Sequence, residues 1–93
     1  MARTPIHPGE ILAEELEERA LVASAAAQEI GVPPNRLLQI VSSKRNITAD
    51  TALRLGRYFG TGPQFWMNLQ VSYELRLAEQ RIGRELEKIP VHS

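Results

Sequence analysis

The sequence predicts an all-α domain of five helices, the last of them long. Apolar residues recur at three- and four-residue spacings along most of the chain. The β-branched residues fall in short clusters among helix formers, so nothing reads as a strand. Pro8, Pro34 and Pro63 each suit the first turn of a helix, while Gly31 and Gly60 each suit a helix end. With 93 residues, the chain makes one domain spanning 1–93.

The first helix is expected to begin at "HPGE", where Glu10 favours the positive end of the helix dipole, and to carry Ile11, Leu12, Leu16 and Ala20 inward. "SAAAQEIG" is a short alanine-rich helix closed by Gly31 as a left-handed cap. Val32 and Pro33 form a turn into the third helix, "PNRLLQIVSS", whose Leu37, Ile40 and Val41 share one face. Asn35, Arg36, Gln39 and Ser42 therefore point away from the core. After the polar loop "KRN", Thr48 is an N-cap with Asp50 in the first turn, and helix four runs to Gly60. The last helix, about 63–88, carries Phe65, Trp66, Leu69, Tyr73 and Leu77, followed by Ile82, Leu86 and Ile89. Its length suggests that it projects beyond the domain.

Composition excludes several classes. There is no cysteine, hence no disulfide, thiolate metal site or thiol nucleophile. No apolar run reaches the roughly 20 residues of a membrane helix, and "MARTPIHPGE" lacks the apolar centre of a signal peptide, so a cytoplasmic protein without a membrane partner is expected. His7 and His92 lie far apart in sequence, with no second ligand at metal spacing and no serine placed as a nucleophile. His7 reads as a helix terminator. Neither an enzyme nor a cofactor is expected.

Net charge is zero, with 11 bases and 11 acids, yet the charges are segregated. Residues 10–18 hold five acids and no base, whereas residues 36–57 hold five bases against Asp50 alone. The acidic run reads as a solvated helix face; alternatively it repels DNA on the far side or receives a basic partner. Two short helices joined by a glycine-containing turn, about 23–43, describe a helix-turn-helix. In that motif the second helix enters the major groove and its N-terminal residues reach base edges. Asn35, Arg36 and Gln39 become base readers, since Asn and Gln pair with adenine and Arg with guanine. Ser24, Ser42, Ser43, Lys44 and Arg45 are placed to meet phosphates.

"HPGEIL" at 7–12, "IGVPPNR" at 30–36, "ITADTALRLGRYFGTGPQFWMNLQ" at 47–70 and "YELRLA" at 73–78 resemble the HigA-type antitoxins of bacterial toxin–antitoxin modules. These are a branch of the Cro/C1-type (lambda repressor-like) helix-turn-helix proteins, and the likeness covers about four fifths of the chain. The resemblance implies a homodimeric repressor of its own operon, bound to palindromic operator DNA in the major groove. It also implies a small ribonuclease toxin as partner, neutralised by this chain. It places Pro34, Asn35 and Gln39 at positions that usually touch bases, Ser42 at one that usually touches phosphate, and Arg36 beside them. The chain departs from the pattern at Val22, where Ser or Thr usually caps the second helix, and at Ser42-Ser43, where Asn-Gly is frequent. Leu38 stands on the outward face, where polar residues are commoner.

Two other readings use the same residues. One is an orphan Cro/C1-type regulator without a toxin. The other is a helical protein-interaction adaptor docking through Leu69, Tyr73 and Leu77, a series that serves equally as a dimer seam. Phe65 and Trp66, at helical spacing, read as core rather than as a base-stacking platform.

Overall fold

The computed structural model describes residues 4–92, and among them every regular element is helical. The helices are α1 (Pro8–Glu18), α2 (Ala23–Ile30), α3 (Pro34–Val41), α4 (Ala49–Phe59) and α5 (Pro63–Glu87). Expected and observed starts agree at α3, α4 and α5, where Pro34, Thr48 and Pro63 set them. Three ends differ. Helix α1 stops at Glu18; Ala20 is exposed and left-handed, with φ of 54°, so it does not extend the inward stripe. Helix α3 stops at Val41 with Ser42 as its cap, and Ser43 turns left-handed with φ of 63°. Ile89 lies beyond α5 and is exposed.

One apolar core unites all five helices: Leu12 and Leu16 from α1, Ala26 and Ala27 from α2, Leu37 and Ile40 from α3, Ala52, Leu55 and Phe59 from α4, and Trp66 from α5. Trp66 is fully buried, as core, whereas Phe65 beside it is 39% exposed and only edges the tryptophan ring. Beyond its first turns α5 leaves the core. Val71, Leu75, Ile82 and Leu86 are exposed along it, and the molecule extends to 49 Å against 24 and 21 Å in the other directions. No helix among the described residues is long and apolar enough to cross a membrane.

Two buried polar side chains hold backbone that the core would otherwise leave unpaired. His7 is the N-cap of α1: its Nδ1 accepts the Gly9 N–H at 2.8 Å, and the Glu10 carboxylate accepts the His7 N–H at 3.2 Å. Gln70, on α5, accepts the buried Ile47 N–H at 2.7 Å and so ties the loop after α3 to the long helix. Helices α1 and α3 approach closely at Gly9, where a side chain would overlap the Ile40 carbonyl at the end of α3.

Candidate nucleic-acid interface

The turn before α3 is built by left-handed Gly31, φ 79°, whose N–H bonds the Gln28 carbonyl at 3.2 Å while the Val32 N–H bonds Ala27 at 3.0 Å. These bonds close α2 and swing the chain to start α3 at Pro34. Val22 caps α2 without a side-chain hydrogen bond, the weak start expected there.

With Leu37 and Ile40 fully buried, Pro34, Asn35, Leu38 and Ser42 are exposed and Arg36 and Gln39 half-buried on the outer surface of α3. Leu38, 49% exposed, sits in the middle of that surface as expected. The nine residues singled out in the sequence divide into groups. Ser24 and Pro34 line a groove between α2 and α3, together with Gln28. Arg36 and Arg45 line a second cleft, on the α4 side, with Asn46, Thr48, Asp50 and Arg54. Asn35, Ser42, Ser43 and Lys44 stand in solvent along α3 and just past its end.

Several of these side chains are held in place. Arg45 donates from Nε to the Gln39 Oε1 at 2.8 Å, which orients the amide and leaves its NH₂ free to donate. Ser42 Oγ donates back to the Leu38 carbonyl at 2.9 Å, so its hydroxyl seals the end of α3. Arg36 meets Asp50 at 3.5 Å, and Asp50 also accepts from Arg54 Nε at 3.0 Å. Arg54 Nη1 donates to the Ile30 carbonyl at 2.8 Å, bracing the turn from α4.

Gln28, Asn46, Asp50 and Arg54 belong to this surface and were not among the sequence candidates. Asp50 and Arg54 carried a signal, since opposite charges four apart on a helix face each other. Gln28 and Asn46 carried none.

The arrangement presents hydrogen-bonding groups along α3 and three arginines (Arg36, Arg45, Arg54) in the open cleft beside it. Such a surface fits a groove and a polyanion. Residues 12–66 match the helix-turn-helix family. Virulence-associated protein I of Dichelobacter nodosus is 55% identical over 76 residues, 81% of this chain and 70% of its own. An addiction module antidote protein of the HigA family from Coxiella burnetii superposes with a TM-score of 0.90 at 46% identity, covering 98% of this chain and 100% of that one. A Pseudomonas aeruginosa protein solved in complex with its 18-base-pair operator DNA superposes with a TM-score of 0.92 at 44% identity, over 100% of both chains.

Proposed function

This chain belongs to the helix-turn-helix family, in the branch of the HigA-type antitoxins, and from that premise we propose that it represses its own operon and neutralises a small ribonuclease toxin that cuts messenger RNA. It binds operator DNA as a homodimer, one α3 entering the major groove at each half of a palindrome, about one helical turn apart. Asn35, Arg36 and Gln39 face base edges, and Pro34, which lacks an N–H, makes shape or methyl contact. Ser24, Ser42, Ser43, Lys44 and Arg45 meet phosphates on either side.

The observation that carries this reading is the outer surface of α3, polar apart from Pro34 and Leu38 and flanked by cations, on a scaffold that in the Pseudomonas protein is bound to operator DNA. The antidote role rests on the Coxiella relative and on the acidic face of α1, a charge complement to an RNA-binding partner. The exposed apolar stripe of α5, Val71, Leu75, Ile82 and Leu86, is where a second copy packs. The adaptor reading docks α5 through Leu69, Tyr73 and Leu77, but these three are half-buried, Leu69 against the core and Tyr73 against the His7 ring. The exposed stripe beside them would have to serve instead, with α3 touching nothing.

Fluorescence anisotropy on the DNA upstream of the gene, beside scrambled DNA and across a salt series, separates these readings. The repressor prefers the upstream DNA, with affinity falling steeply as salt rises. Arg36→Ala then weakens operator binding by about 1–3 kcal/mol and relaxes base preference, while Lys44→Ala weakens every sequence alike. Weak, equal binding to both DNAs would leave the adaptor. A small basic reading frame beside this gene separates the antitoxin from an orphan regulator.

A further inference from the structure

Asp50 is the only acid in the cleft that Arg36, Arg45 and Arg54 share beside α3, and its carboxylate is 58% exposed toward the same solvent as those cations. An acid there opposes any phosphate that approaches, so its presence on a polyanion-binding face calls for a reason. The stability it adds is small, because exposed ion pairs contribute little. Its partners suggest another role. Arg54 is anchored without it, through the Ile30 carbonyl at 2.8 Å and the Gly31 carbonyl at 3.4 Å. Arg36 has no such anchor: Asp50 is the one group it bonds among the described residues. The backbone carbonyls of the turn, Arg54, Asp50 and Arg36 thus form a chain that runs from the fixed turn out to a long side chain on the outer surface of α3.

Resting on the reading of α3 as the DNA-facing helix, we propose that Asp50 is a positioning residue for Arg36, lowering affinity for DNA in general while raising selectivity for the operator. An arginine side chain carries much rotamer freedom, and ordering it on binding weakens the complex. Holding the guanidinium in place beforehand removes that penalty only on DNA that puts a matching base edge within its reach. On every other sequence Arg36 is less able to swing onto a phosphate, and the carboxylate repels the backbone. Freed from Asp50, the same arginine becomes one more mobile cation.

The test is a double-mutant cycle on the full chain: wild type, D50N, R36A and D50N/R36A, titrated against the upstream operator and a scrambled duplex at one salt concentration. D50S, with a side chain that also suits the first turn, serves if D50N does not fold. Removing the repulsive charge should tighten scrambled DNA by about fivefold, the worth of one phosphate contact at roughly 0.15 M salt. Operator affinity should rise less or fall, so the operator-to-scrambled ratio drops several-fold. In the R36A background the same change should move both DNAs together and leave the ratio alone. An unchanged ratio for D50N would mean that Asp50 is only general charge. An equal drop with or without Arg36 would mean that it acts through another group, and a higher ratio would mean that it holds Arg36 off the DNA; each of the three overturns the proposal. A wild type with no operator preference would instead remove the DNA-binding reading itself, and this inference with it.

Discussion

Replacing Gly9 with alanine tests the packing that sets α3 on the body of the protein. The added methyl would overlap the Ile40 carbonyl oxygen and lie 3.0 Å from the His7 Nδ1. A backbone carbonyl cannot swing aside as a side chain can, so α1 and α3 must separate. Overpacking of this kind costs about 1–3 kcal/mol, and the backbone overlap places it near the top of that range. Retreat of α1 also strains the 2.8 Å bond from the Gly9 N–H to His7, a cap worth about 1 kcal/mol. Better helix propensity returns at most about 1 kcal/mol, leaving a net loss of about 3 kcal/mol. For a domain of this size that lowers Tm by roughly 12–24 °C. The Ile40 oxygen also accepts the Ser43 N–H at 2.9 Å, so the shift loosens the loop bearing Lys44 and Arg45, and operator affinity should fall even where G9A is folded. Gly83→Ala is the control: nothing lies within 4 Å of its added Cβ on the outer part of α5, and it should raise Tm by a few degrees. Thermal melts followed by far-UV circular dichroism read both variants. A G9A melting point within about 2 °C of wild type would refute the close-approach argument, as would a rise matching that of G83A.

Three other perturbations have defined signs. Ser43→Gly relieves a left-handed serine, φ 63°, and should stabilise by about 1 kcal/mol in denaturant titrations; a loss would mean that the hydroxyl is needed at this bend. Gln70→Leu should destabilise by about 1–3 kcal/mol, because the Ile47 N–H is left buried without an acceptor, and a neutral result would show that the loop finds another partner. Burial holds the His7 pKa below the ordinary histidine value of 6.5, although Glu10 and the Asn46 and Arg45 groups pull it upward. The unfolded chain therefore takes up a proton first, so this residue's contribution to stability is complete above pH 6.5 and declines as pH falls toward the lower folded value. Urea midpoints at several pH values should show a shallower decline for His7→Asn, which keeps a capping oxygen; parallel curves would remove His7 as the cause.

Much of this protein can be read along the chain because the relevant signals are local. Prolines tolerated only in a first turn, glycines able to adopt positive φ, and apolar residues three and four apart determined five helices and the turn before α3. The same periodicity that buries Leu37 and Ile40 turns Asn35 and Ser42 outward, so the outer surface of α3 is legible in the sequence alone. Where the local signals were weak, the ends shifted: Ala20 and Ser43 adopt left-handed φ without being glycine, because the packing of α1 and α3 fixes where the chain must bend. Tertiary structure alone decided the rest. It brought Gly9 against a carbonyl 31 residues later in the chain, set Gln70 under Ile47, and joined Asp50 to Arg36 across 14 positions. Such pairings depend on how helices lie against one another, and sequence spacing within one helix carries no record of that. The sequence by itself therefore determined which helix faces outward and with which residues, while packing decided which of those side chains are free to move and which are held.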